Sequence, residues 1–198
     1  MKKLSPDDLL SQQEYNAMRD DFRTAVMEHK ARRRVMLGAN ASFHFEDRMT
    51  IKYQVQEMLR IEKITDLEGI EEELLAYNDL IPDGGNLKAT FMLEYEHADE
   101  RKVALENLLG IEDTLWVQVN DMPRVYAIAD EDLERSTAGK TSAVHFLRFE
   151  FDEPGRRAIK AGGSITVGCS HQAYPYQQTL EHAQCESLAN DITEATLH

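Results

Sequence analysis

The feature that most constrains the fold is a stretch of strict alternation that follows a strong turn. From Leu87 to Tyr95 an apolar side chain occupies every second position, and most of the positions between are polar. Because successive side chains of a strand point to opposite faces of a sheet, this pattern predicts a strand with one buried and one polar face. The preceding turn, Pro82 to Gly85, consists of residues that favour tight turns. The fold therefore contains a sheet with a half-buried strand.

Helix signals precede this strand. Ser11 and Glu14 match a capping box, so the first long helix is expected to begin near Gln12 and to run to about Arg33. Four apolar residues recur along it at helical spacing and are expected to form its core face: Tyr15, Met18, Phe22 and Val26.

Further helices are expected at four places. One begins after Asp47, and one begins at a second capping box formed by Thr65 and Glu68 and includes Leu75. A third covers about 99–110, and the last covers Gln178 to about Ala195. These four complete the long helical segments.

The remaining strands are expected in four further regions. Residues 35–45 predict a hairpin or strand pair, and 115–119 with 124–129 predict a second hairpin. Single strands are expected at 142–151 and 164–169, and the first of these places His145 on the face that enters the core. With 198 residues, the chain is predicted to be one α+β domain with a mainly antiparallel sheet and packed helices.

Charge and cysteine content exclude several classes of protein. Thirty-six acidic and 22 basic residues give a net charge of −14, which disfavours nucleic acid and anionic membrane surfaces as partners. No apolar window is long enough to span a membrane, and two cysteines do not make a disulfide framework. A cytoplasmic location is therefore expected.

One polar series is a candidate ligand-binding site. It runs along the second helix and the residues before it, and it comprises Glu46, Arg48, Gln54, Glu57 and Arg60. Such a series can hold a small charged ligand, and the alternative is an ordinary network of ion pairs. A second candidate lies beyond a strand end, where His171 and Tyr174 could line a small polar pocket or belong to a turn held by side-chain hydrogen bonds.

The spacing of two cysteines and two histidines allows a zinc site. Cys169 and His171 are two apart on a predicted strand, and His182 and Cys185 are three apart on a predicted helix. Each pair can face one way, so the four side chains would give a tetrahedral site if the strand end meets the helix. Against this, the spacing matches no common zinc-finger signature, and the alternative is buried cysteines with an exposed His182.

Several segments also carry a resemblance to a known family. They are Arg32 to Leu37, Phe45 to Arg48, Gln54 to Arg60, Tyr77 to Pro82, Ser142 to Phe146 and the region of His171 and Tyr174. The chain resembles the bacterial domain-of-unknown-function family 3501. The resemblance implies no established activity and no catalytic residues, and it implies a redox or iron setting through neighbouring genes for rubrerythrin-like and iron-sulfur proteins.

Two functions follow as hypotheses. The first is an accessory protein that binds a small ligand or a protein partner, with a link to redox or iron homeostasis. The alternative is an enzyme of unknown reaction with its polar pocket near His171 and Tyr174. No glycine-rich phosphate loop or complete catalytic signature is present, which favours binding. An exposed apolar face on the sheet or the first helix would favour a homodimer.

Overall fold

A computed structural model gives the fold of residues 2–193, and these described residues contain six α-helices and nine strands. The helices are α1 (Gln12–Ala31), α2 (Arg48–Glu62), α3 (Leu67–Asn78), α4 (Ala98–Asn107), α5 (Glu153–Lys160) and α6 (His182–Ala189). The strands are β1 (Arg34–Leu37), β2 (Ala41–Glu46), β3 (Asn86–Leu93), β4 (Leu115–Val119), β5 (Val125–Tyr126), β6 (Ile128–Ala129), β7 (Val144–Glu150), β8 (Ile165–Cys169) and β9 (Gln177–Thr179). No helix among the described residues is long and apolar enough to cross a membrane.

The strands form two antiparallel sheets, which confirms the α+β prediction and divides the expected sheet in two. The first sheet has the order β1-β2-β3-β7-β6, and the second has the order β5-β4-β8-β9. Their inner faces supply one hydrophobic core, with Phe43, Phe91 and Phe149 from the first sheet and Val117 and Val167 from the second. The alternating residues of β3 occupy the centre of the first sheet, as their pattern predicts.

A helical layer lies beside the outer face of the first sheet. Helices α2 and α3 share a smaller apolar core with the N-terminal segment, formed by Leu4, Ile51, Val55, Leu59, Leu74 and Ile81. This smaller core is separate from the core between the two sheets. It therefore does not cover the whole outer face of the first sheet. Space remains there between the sheet and the helices.

Local sequence signals predict most helix ends correctly. One helix cap and two expected core positions are corrected by the structure. Ser11 caps α1 through Glu14 as predicted, whereas α3 is capped by Asp66, whose carboxylate accepts the N–H of Gly69. Asp66 rather than Thr65 takes this position because its carboxylate reaches the third amide of the helix. Met18 is 54% exposed and Leu75 is 79% exposed, so neither joins the core.

Two predicted elements are divided differently in the structure. The segment 124–129 was expected to be one hairpin strand, but β5 pairs with β4 whereas β6 pairs with β7 of the other sheet. The last predicted helix begins later, because 177–179 forms the edge strand β9 and α6 starts only at His182. The predicted end of this helix, near Ala195, lies outside the described residues.

The second sheet depends on a close contact between Gly168 and Trp116. These residues are direct partners across β8 and β4, and Trp116 is 2% exposed. A Cβ atom at Gly168 would lie only 2.1 Å from Cζ2 of the indole, so the ring packs directly on the glycine backbone. Arg124 lies over the same indole, with its guanidinium carbon 4.0 Å from the ring centroid. No larger residue fits at Gly168 without moving the ring.

A buried arginine joins the two ends of the fold. The side chain of Arg33 is 1% exposed, and its guanidinium donates to the carbonyl oxygens of Phe45 and Glu46 at 3.0 Å each. It also forms an ion pair with Asp191, beyond the end of α6, and lies 3.5 Å from the carboxylate of Asp47. The hairpin β1–β2 is thereby fixed to the last described turn of the chain.

Candidate ligand-binding cleft

The candidate site lies on the outer face of the first sheet, along the polar side of β3. Lys88 and Thr90 point to this face, and each has a direct neighbour on either side. Lys88 is flanked by Glu46 and Arg148, and Thr90 is flanked by His44 and Phe146. The alternation that buries one face of β3 therefore brings polar and charged side chains together on the other.

The larger cavity on this face has a volume of about 530 Å³ and lies between the sheet, the end of α3 and the start of the loop 130–141. Its apolar side chains are Leu75, Ala76, Leu80 and Phe146, and its charged side chains are Asp79, Asp83, Lys88, Glu131, Asp132 and Arg148. A cavity of this size that offers both apolar surface and charged groups can hold a small organic molecule.

Lys88 is the most unusual charged group in this cavity. It is half-buried, and its ammonium donates a hydrogen bond to the carbonyl oxygen of Asp79. Among residues 2–193, no carboxylate lies within 4 Å of the ammonium to form an ion pair. Burial lowers the pKa of Lys88 below the ordinary value of a lysine, and the nearby Asp79 and Asp83 only partly oppose this effect. Two of the three N–H donors of the ammonium thus remain available.

Three of the carboxylates around the cavity already have a basic partner. Asp79 pairs with Lys3 at 2.5 Å, and Asp132 pairs with Arg135 at 2.5 Å. Glu131 accepts two hydrogen bonds from Arg148, both at 2.8 Å, and these bonds hold its pKa below the ordinary value. Arg148 also pairs with Glu150 at 2.7 Å. The acidic lining is largely neutralised from within the protein.

A smaller cavity of about 130 Å³ continues along the same sheet face. Glu46, from the predicted polar series, lines it and accepts hydrogen bonds from the hydroxyls of Thr50 at 2.6 Å and Thr90 at 2.8 Å. His44 lines it as well, and burial together with the charge of Arg34 lowers the pKa of this histidine. Glu46 is therefore the member of the series that lies on the cleft face.

The other members of that series lie elsewhere. Glu57 and Arg60 form an ion pair at 3.1 Å on α2, and Glu57 also accepts hydrogen bonds from Arg19 and Tyr15 of α1 at 2.8 Å each. These donors hold the pKa of Glu57 far below its usual range. Arg48 pairs with Asp8 at 2.6 Å and donates to the carbonyl of Lys2, whereas Gln54 is half-buried on α2. The structure thus separates Glu46, Arg48 and the Glu57–Arg60 pair.

His171 and Tyr174 both take part in hydrogen bonds with the backbone. The Tyr174 hydroxyl donates to the carbonyl of Leu37 at 2.6 Å and accepts the N–H of Asn40 at 3.1 Å. His171 donates from Nε2 to the carbonyl of Leu109 and accepts the N–H of Ala173 at Nδ1. Tyr174 also lines a wide cavity of about 640 Å³ beside α4. These bonds fix the turn between β8 and β9.

The four residues proposed for zinc are not gathered into one group. Within residues 2–193, no three or more His, Cys, Asp or Glu side chains are arranged to hold a metal ion. Cys169 is buried and its sulfur accepts the N–H of His171 at 3.4 Å. Cys185 is buried on α6, and the exposed His182 lies 3.3 Å from Glu186. Zinc at these residues stays a prediction.

Sequence reasoning missed a buried network around His145. The ring is 0% exposed, as its place in the strand pattern predicts, and Nδ1 lies 2.6 Å from Asp130 while Nε2 lies 2.8 Å from the Thr141 hydroxyl. That hydroxyl in turn donates to Glu112 at 3.0 Å.

This network fixes both ends of the loop that forms one wall of the cleft. Asp130 begins the loop in a left-handed conformation, with φ of 50°, and accepts the N–H of Phe146 at 2.9 Å. Thr141 ends it and is 1% exposed. Although hydroxyl, imidazole and carboxylate are aligned as in a catalytic relay, the buried hydroxyl is closed to a substrate, and the contacts hold the loop in place.

Comparison with known proteins identifies a family and a similar crystal structure. The family model described as "Protein of unknown function (DUF3501)" matches residues 3–192. A crystal structure of a novel protein of unknown function from Burkholderia pseudomallei K96243 shares 48% sequence identity with this chain. The match covers 97% of this chain and 100% of that chain, with a TM-score of 0.92. Comparison with curated proteins gives no match.

Proposed function

Because this chain belongs to the family described as "Protein of unknown function (DUF3501)", and that description names no activity, we propose a function from the geometry of the cleft. The protein binds a small organic molecule on the outer face of the first sheet. The observation that carries this proposal is the cavity of about 530 Å³, which is lined by both apolar and charged side chains. Pockets for small ligands combine these two features.

The position of the cleft supports this proposal. Its floor is β3 and β7, which are central strands with buried inner faces, and therefore a rigid platform. Its wall is the loop fixed by the His145 network, and its other side is α3. Rigid elements hold binding groups more reproducibly than free loops do.

The experiment is an NMR titration with three compounds of the same shape: hexanoate, hexanamide and hexylamine. We expect at least one of them to shift the amide signals of residues around Lys88 and Phe146. The variant Ala76→Trp should abolish this binding, because Ala76 lines the cavity and a tryptophan would fill it. Ala17→Trp is the matched control, since Ala17 is an exposed position on α1. No shift with any compound, or equal effects of the two variants, would refute the proposal.

The other hypotheses from the sequence stay predictions. An enzyme with its pocket near His171 and Tyr174 has less support, because both side chains are engaged in backbone hydrogen bonds. A link to redox or iron homeostasis rests on the resemblance and is tested by identifying the ligand that the protein carries when purified from its own host. Homodimer formation is tested by light scattering, with Met18 and Met27 as the exposed apolar residues of α1.

A further inference from the structure

We infer that the ligand of this cleft carries a carboxylate, or an equivalent small anionic group, that pairs with Lys88, and that its remainder is apolar. This inference rests on the proposed function and names the chemical class of its ligand. It depends on two features of the cavity: a half-buried lysine whose ammonium has no ion-pair partner within 4 Å among residues 2–193, and apolar side chains in the same lining.

The first step concerns the ammonium. Removing a charged group from water is unfavourable unless an opposite charge or hydrogen bonds compensate for it. Within the part of the chain that the structure describes, the Lys88 ammonium has one acceptor, the carbonyl of Asp79, although an ammonium carries three donors. A ligand carboxylate would accept from the remaining donors and would supply the missing negative charge.

The second step explains why the lining carboxylates do not already fill this place. Asp79 is paired with Lys3, and Glu131 is held by Arg148 through two hydrogen bonds. Asp83 accepts the backbone N–H of Gly85 at 2.8 Å, so its carboxylate is directed to its own turn. These groups influence Lys88 through space, but none lies within ion-pair distance of it among the described residues.

The third step concerns the rest of the ligand. Leu75, Leu80 and Phe146 line the same cavity, and Leu75 is among the most exposed large apolar residues of the chain. Covering these side chains would remove apolar surface from water, which favours binding in proportion to the area covered. A simple ion such as acetate cannot do so, and an apolar acid with a short chain can.

The same three compounds test this inference, because they differ in charge and share their apolar chain. We expect hexanoate to bind about tenfold more tightly than hexanamide, as charge-assisted hydrogen bonds exceed neutral ones by this order. Hexylamine should bind most weakly, because its ammonium would meet Lys88. The preference for hexanoate over hexanamide should vanish in Lys88→Met and persist in Lys88→Arg. Lys102→Met, at an exposed position on α4, is the control.

The pH dependence gives an independent readout. Hexanoate should bind less tightly as pH rises through the lowered pKa of Lys88, whereas the affinity for hexanamide should stay constant. The charged groups that face Lys88 are Glu46 and Arg148 on the neighbouring strands and Asp79, Asp83 and Glu131 around the cavity. Thermal unfolding of each variant confirms that it is folded.

The outcomes separate the two proposals. Equal binding of hexanoate and hexanamide in the cleft would overturn the assignment of an anionic ligand and leave the ligand-binding function intact. Tighter binding of hexylamine would overturn it as well and would assign the acidic lining as the recognition element. Binding of none of the three compounds would overturn both.

Discussion

Replacing Gly168 by alanine tests how the second sheet is packed. The added Cβ would lie 2.1 Å from Cζ2, 2.5 Å from Cε2 and 2.7 Å from Cη2 of Trp116, all closer than atoms in contact can lie. The indole has little space to move, because it is 2% exposed and Arg124 lies over it. Overpacking of this kind typically costs about 1–3 kcal/mol, and three close ring atoms place Gly168→Ala near the upper end.

The measurement is urea unfolding followed by far-ultraviolet circular dichroism. Gly139→Ala is the matched control, because a Cβ at Gly139 meets no atom within 4 Å and should change the free energy of unfolding by less than about 0.5 kcal/mol. If the indole causes the loss, Gly168→Ala should cost about 1 kcal/mol less in a Trp116→Leu background. A loss equal to that of the control, or one that is unchanged in that background, would refute the packing described above.

Three further predictions concern groups outside the second sheet. Glu57→Gln should lower the free energy of unfolding at neutral pH by about 1–3 kcal/mol. Because the pKa of Glu57 is depressed in the folded state, the stabilisation by this carboxylate is complete above its unfolded pKa of about 4.3 and is lost as pH falls. The free energies of unfolding of the wild-type protein and the variant should therefore converge in acid. His145→Ala should accelerate amide hydrogen exchange in the loop 130–141 far more than in β3, because the hydrogen bonds of His145 hold this loop in place. Equal acceleration in the loop and in β3 would contradict this role of the network. Elemental analysis of protein purified without a histidine tag decides the zinc hypothesis: if Cys169, His171, His182 and Cys185 bind the metal, one zinc per chain is expected and Cys169→Ser should remove it, whereas a content far below one contradicts it.

Elements with a local cause could be predicted from the sequence. The capping box of Ser11 and Glu14 involves residues three apart, and the alternation along β3 is visible in a single strand. His145 entered the core as expected, because its strand neighbours fix the face on which it lies. In each of these cases the physical cause lies within a few residues of the feature.

Features with a distant cause could not be predicted in the same way. The pairing of β6 with β7 rather than β4 depends on where the second sheet turns away, which no short segment encodes. Lys88 reads as an ordinary polar residue on the solvent side of a strand, and only the position of α3 makes it part of a cavity. The members of the polar series do not form one site, because Glu57 accepts hydrogen bonds from side chains of α1.

The ion pair of Arg33 with Asp191 joins two segments that lie far apart in the sequence, and this separation affects how the chain folds. The two residues are 158 positions apart, so the contact can form only after nearly the whole described chain is available. Until then, a guanidinium that ends almost fully buried lacks one of its two acidic partners. Contacts between such distant residues carry a large loop-closure cost and slow folding. The buried environment of Arg33 is therefore complete only once the segment after α6 has packed against the hairpin β1–β2.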